Sequence, residues 1–143
     1  MRGLKVTIIF KIIVTIFLWV IPSLFFPQSL SDDLGFPPLE PLFIKLLGAA
    51  FAALCLGYIL GLREIKNGRY PEISVWVGIL SNGGAALILA FYGFGGHWNT
   101  WKPFAQNFMW FSLIAVSTVT FGLCYYGAYQ HYFKGRSSRS ENP

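Results

Sequence analysis

Four apolar blocks, each long enough to cross a bilayer as a helix, limit what this chain can fold into. The blocks cover about residues 5–26, 41–62, 73–94 and 107–130 and are separated by short polar stretches. A helix needs about 20 residues to cross the ~30 Å hydrocarbon core of a membrane. The sequence lacks the alternating segments of about ten residues that are typical of membrane barrel strands. We therefore predict an all-α protein, an integral membrane four-helix bundle, because a helix satisfies its own backbone polar groups in lipid.

The composition agrees with this prediction. The 143 residues are 55% hydrophobic and 12% charged, which is about half the charged fraction of a soluble domain. The first block follows the basic start MRGLK, but Lys11 interrupts it and no small-residue cleavage site follows, so we interpret it as a retained span. We predict one transmembrane domain over residues 1–132 and a disordered basic tail over 133–143.

The distribution of charge predicts the orientation in the membrane. The amino end, the 63–72 link and the tail together carry nine basic and three acidic side chains, whereas the other two links carry two basic and three acidic ones. The positive-inside rule then places both termini in the cytoplasm of a bacterial cell, with the spans in the inner membrane. The predicted partners are the lipid bilayer and the anionic headgroups on its cytoplasmic face, and not nucleic acid.

Two spans carry small residues at intervals of four, which predicts close helix packing. The second span has this pattern at Ala49, Ala53, Gly57 and Gly61. In the third span the same spacing joins Gly78, Asn82 and Ala86. We expect other helices to approach along these two stripes.

Asn82 lies in the middle of the third span, where an unpaired amide costs several kcal/mol. We expect it to face a neighbouring helix and to bond to a hydroxyl of the fourth span, from Ser112, Ser117, Thr118 or Thr120. A second interpretation places Asn82, Ser81 and Thr120 around a binding pocket or a polar path for a small molecule. Packing with one hydrogen bond is the simpler interpretation.

The first span has one polar stripe, formed by Thr7, Lys11 and Thr15 on one helix face. Lys11 either extends to the cytoplasmic headgroups or pairs with Glu72 at the start of the third span. In the link that follows, Ser29 and Asp32 predict a short surface helix that ends at Gly35.

The sequence shows no pattern of a metal, cofactor or catalytic site. His97 and His131 are expected on opposite membrane faces, so they cannot share one haem. No carboxylate lies deep in a span, and Asp32 and Asp33 lie in a solvated link. We therefore predict no metal and no cofactor, and the residues do not indicate an enzyme.

Residues 20–90 resemble the DoxX-like small four-helix membrane proteins of bacteria. The resemblance lies in Phe26-Pro27, Leu34-Gly35, Gly48-Ala49-Ala50 and Leu56-Gly57-Tyr58, followed by Asn82 in the next span. It implies an inner-membrane bundle, and the family name derives from a subunit linked to a thiosulfate:quinone oxidoreductase. Relatives often carry Arg where this chain has Lys45, and no catalytic residue is carried over.

Three functions follow as hypotheses. The first is a packing or accessory component of a membrane assembly, or a homo-oligomer, indicated by the small-residue stripes. The second is a binder or carrier of a small apolar molecule, such as a quinone or a lipid. The third, a subunit of a quinone-linked oxidoreductase, is implied by the resemblance alone.

Overall fold

The computed structural model describes residues 2–38 and 40–134, and the regular secondary structure of this part of the chain is entirely helical. Four helices are long and apolar enough to cross a membrane. They are α1 (Arg2–Phe25), α3 (Pro41–Lys66), α4 (Glu72–Phe94) and α5, which runs as Pro103–Gly122 and continues as Leu123–Lys134. A short helix, α2 (Gln28–Leu34), lies in the first long link and ends at Gly35, so the short helix predicted there is confirmed, although it begins one residue before Ser29.

Proline and glycine set the ends of these helices. Pro41 and Pro103 occupy the first helical turn, where a missing N–H costs nothing. Gly35 ends α2 with a φ of +85°, and Gly68 has a φ of +73° in the link between α3 and α4. Both values lie in the left-handed region that favours glycine. The fourth span is longer than predicted, and the predicted tail lies outside the described residues from position 135 onward.

Two stretches of the spans are π-helical, Ile16–Val20 in α1 and Leu123–Lys134 at the end of α5. The first ends two residues before Pro22, which has no N–H to donate and whose ring crowds the carbonyl four residues earlier. The wider turn lets α1 continue through Pro22 to Phe25. The helix is therefore locally expanded around Leu18 and Trp19.

The two ends of the bundle differ in their links. The short-link end contains residues 67–71 together with the start of α1 and the end of α5, and the long-link end contains residues 26–40 and 95–102. Helix α1 packs against α3 and α5, and α4 packs mainly against α5. The buried apolar core lies toward the short-link end and is formed by Leu4, Ile8, Tyr58, Val75, Val119 and Leu123.

Candidate functional site

Asn82 lies inside the bundle, as predicted, with 1% of its surface exposed. Its amide Nδ2 donates to the Tyr58 hydroxyl at 3.1 Å and to the Gly78 carbonyl at 2.7 Å. The partner of Asn82 therefore lies on α3. The prediction of a partner hydroxyl on the fourth span was wrong. Tyr58 reaches Asn82 because Gly78 has no side chain, and a Cβ there would lie 2.9 Å from the Tyr58 hydroxyl.

The structure does not bring Thr120 into this cluster. Thr120 donates to the Val116 carbonyl of its own helix at 2.7 Å, and its methyl group faces Gly83. Ser81 is half-buried beside Asn82 and donates to the Gly78 carbonyl at 3.4 Å. Asn82 and Ser81 thus form one polar cluster with Tyr58. None of these three residues lines either of the two cavities described below.

The small-residue positions fall into two groups. Gly61 and Gly78 are buried, and a Cβ on either would collide with the neighbouring helix. Ala86 is half-buried, whereas Ala49, Ala53 and Gly57 lie on an exposed face of α3. Gly48, one position away from the predicted stripe, makes the close contact with α1 at Leu24 and Ser23.

A cavity of about 200 Å³, here called the long-link pocket, lies between α1, α2, α3 and α5. Its walls are apolar or aromatic except for two serines. Sequence reasoning did not find it, because its walls come from four separate helices. The lining residues are Leu18, Trp19, Pro22, Ser23, Phe26, Pro27, Ser31, Leu34, Phe36, Ile44, Leu47, Phe104 and Phe108.

Aromatic rings form the inner wall of this pocket. Trp19 packs on Phe108 with ring centroids 5.4 Å apart, and Phe36 meets Phe108 edge-on at 5.5 Å. Trp19 also contacts Phe51 of α3 at 5.5 Å. Such pairs contribute about 0.5–1.5 kcal/mol each beyond their buried area, so this wall is largely preformed.

Lys102 holds α2 over the pocket. Its ammonium donates to the backbone carbonyls of Asp32 and Asp33, each at 3.2 Å, at the end of α2. A cation is favourable there, because the carboxyl end of a helix carries unsatisfied carbonyls and a partial negative charge. The two long links are joined by this contact.

A second, smaller cavity of about 10 Å³ lies deeper between α1 and α5. Lys11, Thr15 and Ser112 are its polar lining, and we call it the Lys11 cavity. Lys11 is 8% exposed. The structure shows neither of the two predicted environments for Lys11, since it lies inside the bundle and Glu72 instead accepts a hydrogen bond from Tyr132.

The two cavities differ in lining, since the long-link pocket is almost wholly apolar and the Lys11 cavity contains an ammonium and two hydroxyls. Among residues 2–38 and 40–134, no three His, Cys, Asp or Glu side chains are grouped to hold a metal ion. Cys55 is buried and Cys124 exposed, and both are free thiols. Comparison with protein-family models, with curated proteins and with solved structures found no match.

Proposed function

We propose that this chain is a multi-pass protein of a bacterial inner membrane that binds a small apolar molecule in the long-link pocket. The observation that carries this proposal is the pocket itself, a cavity of about 200 Å³ with apolar and aromatic walls. Ligand sites in proteins are concave and mostly apolar, with a few polar groups that set orientation. Quinones and lipids are the apolar molecules that such a pocket meets in a bilayer.

The outer surface of the helices supports a membrane location. Large apolar side chains face outward on every span, among them Phe17 at 65%, Leu80 at 74% and Phe121 at 70% exposure. A bilayer covers such surface without cost, whereas water does not. Exposed Arg2, Lys5, Arg63, Lys66 and Arg69 lie at the short-link end, which we place in the cytoplasm, next to anionic headgroups.

The binding proposal is tested by filling the pocket. Ser31 on α2 lines the pocket, and Ser29 on the same helix is exposed, so Ser31→Trp and Ser29→Trp form a matched pair. We expect the protein, purified in mild detergent, to retain a phospholipid or decylubiquinone in native mass spectrometry. Ser31→Trp should reduce the retained fraction and Ser29→Trp should not. Equal retention by both variants, or none by the native chain, would contradict the proposal.

A second candidate function is assembly with another membrane helix, either a second copy or a different protein. It is favoured by the exposed stripe of Ala49, Ala53 and Gly57, where a Cβ built at Gly57 meets nothing within 4 Å. Small residues let two backbones approach closely in lipid. The resemblance to DoxX-like proteins, with their link to an oxidoreductase, fits this second proposal as well.

The assembly proposal predicts that Ala53→Leu disrupts a complex isolated from native membranes. Ala50→Leu, on the neighbouring exposed face of α3, is its control. Blue native electrophoresis measures the outcome. A native chain that migrates as a lone monomer, or an Ala53→Leu variant that assembles normally, would exclude this function.

A further inference from the structure

Two buried hydroxyls and one buried lysine converge inside the bundle. Thr15 and Ser112 are each 1% exposed and Lys11 is 8% exposed, and all three line the Lys11 cavity. Among the described residues, Thr15 Oγ1 and Ser112 Oγ have no hydrogen-bond partner. Buried hydroxyls are almost always hydrogen-bonded, so these two point to something that the cavity receives.

The chemistry of the three groups selects an oxygen that bears negative charge. An ammonium group can only donate hydrogen bonds, and each hydroxyl can donate one. A cation inside a membrane span is costly unless an anion or a polar group pairs with it. The carboxylates of the described residues are confined to helix ends and links, at Asp32, Asp33, Glu40, Glu64 and Glu72.

The Lys11 cavity adjoins the long-link pocket. Leu18 and Trp19 line both spaces and form the wall between them. They lie in the π-helical turn Ile16–Val20, where α1 is locally expanded. Turns of this kind are frequent at functional sites. If one of these two side chains changed its rotamer, the apolar pocket would gain a polar end of about 10 Å³, which is room for one water-sized group.

We propose that the combined site binds a long-chain carboxylate. One oxygen of its carboxylate enters the Lys11 cavity beside Lys11, Thr15 and Ser112, and its hydrocarbon chain lies in the long-link pocket. This inference rests on the proposed binding function and adds the class of ligand. A carboxylate accepts hydrogen bonds from all three groups at once, and the charge-assisted bond to the ammonium is the strongest of them.

The experiment compares hexadecanoate with its neutral methyl ester. Native mass spectrometry in one detergent gives the affinity of each for the native protein and for Lys11→Met. We expect hexadecanoate to bind about ten-fold or more tightly than the ester, and Lys11→Met to abolish this preference. Lys45→Met, which removes an exposed lysine from α3, should preserve it. Equal binding of the acid and the ester to the native protein would overturn the proposal.

A second measurement reports the head group directly and does not depend on the folding of one variant. Hexadecanoate labelled with ¹³C at its carboxyl carbon should give a bound NMR signal that shifts in Thr15→Val and in Ser112→Ala. An unchanged signal in both variants would show that the head group lies elsewhere, and this too would overturn the proposal.

The two proposals fail in different ways. If the methyl ester binds as tightly as the acid and Ser31→Trp weakens both, the pocket binds apolar molecules but the Lys11 cavity does not recognise a carboxylate. If neither compound binds and no native lipid is retained, the binding function itself is wrong. If Lys11→Met leaves hexadecanoate binding unchanged, the cavity holds at most a water molecule, for which its volume is sufficient.

Discussion

Asn82 illustrates how one amide is accommodated in the middle of an apolar bundle. Its two shorter donor contacts go to the Gly78 carbonyl of its own helix and to the Tyr58 hydroxyl of α3. The bond to Gly78 lies within α4, so it does not depend on how neighbouring helices pack. The bond to Tyr58 joins two helices and fixes the rotation of α4 against α3. The residue is therefore a structural link between these two helices.

Removal of the Tyr58 hydroxyl should destabilise the bundle modestly. Tyr58→Phe keeps the ring but removes the interhelical partner of Asn82, and such bonds contribute about 0.6–2 kcal/mol in membranes. We expect a corresponding fall in the free energy of unfolding, measured by denaturant titration in detergent. Tyr92→Phe, at a tyrosine that is 48% exposed, is the control. Equal stability of the two variants would contradict this role.

Two glycines of α4 should respond in opposite directions to alanine. A Cβ at Gly78 would lie 2.6 Å from Leu123 and 2.9 Å from the Tyr58 hydroxyl, whereas a Cβ at Gly84 meets nothing within 4 Å. We expect Gly78→Ala to cost about 1–3 kcal/mol by overpacking. Gly84→Ala should be neutral or stabilising, because alanine favours the helix. Thermal unfolding of the two variants measures the difference, and similar transition temperatures would refute the packing argument.

The raised pKa of Tyr70 predicts that the free energy of unfolding falls in alkaline solution. Burial, together with Tyr132 and Glu72, raises the pKa of Tyr70 to about 12, from about 10 in an unfolded chain. The folded state thus keeps the phenolic proton after the unfolded state has lost it. The resulting stabilisation is complete below pH 10 and is lost between about pH 10 and pH 12.

The variant Tyr70→Phe tests this linkage. It keeps the stacking on His131, whose ring centroid is 3.7 Å away, and removes a hydroxyl that has no hydrogen-bond partner among the described residues. The free energy of unfolding of Tyr70→Phe should decline less between pH 10 and pH 12 than that of the native protein. Tyr92→Phe, which removes the hydroxyl of an exposed tyrosine, is the control variant. Parallel curves for Tyr70→Phe and the native protein would contradict the assignment.

At the scale of elements, the span positions were predictable and their mutual orientation was not. Apolar block lengths locate α1, α3 and α4 to within about four residues, because hydropathy and span length are properties of each segment alone. The partner of Asn82 and the burial of Lys11 depend on how each helix is rotated against its neighbours. A periodic pattern identifies a helix face but not the residue that this face meets.

The same limit explains why the long-link pocket was not predicted. Its aromatic wall combines Trp19, Phe36 and Phe108, which are far apart in sequence. The stripe of Thr7, Lys11 and Thr15 was visible as a pattern, and two of its members line the Lys11 cavity. The sequence alone did not indicate that Ser112 of α5 lies opposite them.

The short helix α2 should depend on Lys102. Lys102→Met removes the ammonium group that donates to the two carbonyls at the end of this helix. A cation at an exposed helix end contributes about 0.3–1 kcal/mol, so we expect amide hydrogen exchange in residues 28–35 to accelerate by about two- to five-fold. Hydrogen-exchange mass spectrometry measures this rate. Lys45→Met is the control, and an unchanged rate in Lys102→Met would show that α2 is held by its apolar contacts alone.

At the scale of the whole molecule, the proposed orientation predicts the behaviour of reporter fusions. A green fluorescent protein joined after residue 134 should fluoresce, because the positive-inside rule places this end in the cytoplasm. Alkaline phosphatase joined after residue 100 should be active, since that link is expected outside. The opposite pair of results would reverse the orientation and place the long-link pocket on the cytoplasmic side.

The buried apolar cluster lies toward the short-link end, so the two ends of the bundle are held together by different kinds of contact. The buried core near the short-link end joins all four long helices, and it is formed by Leu4, Ile8, Tyr58, Val75, Val119 and Leu123. The opposite end is held by ring contacts, by the close packing of Gly48 on Leu24, and by Lys102, which joins the two long links. We expect larger breathing motions at that end, so that a bound molecule could enter or leave there while the short-link end stays closed.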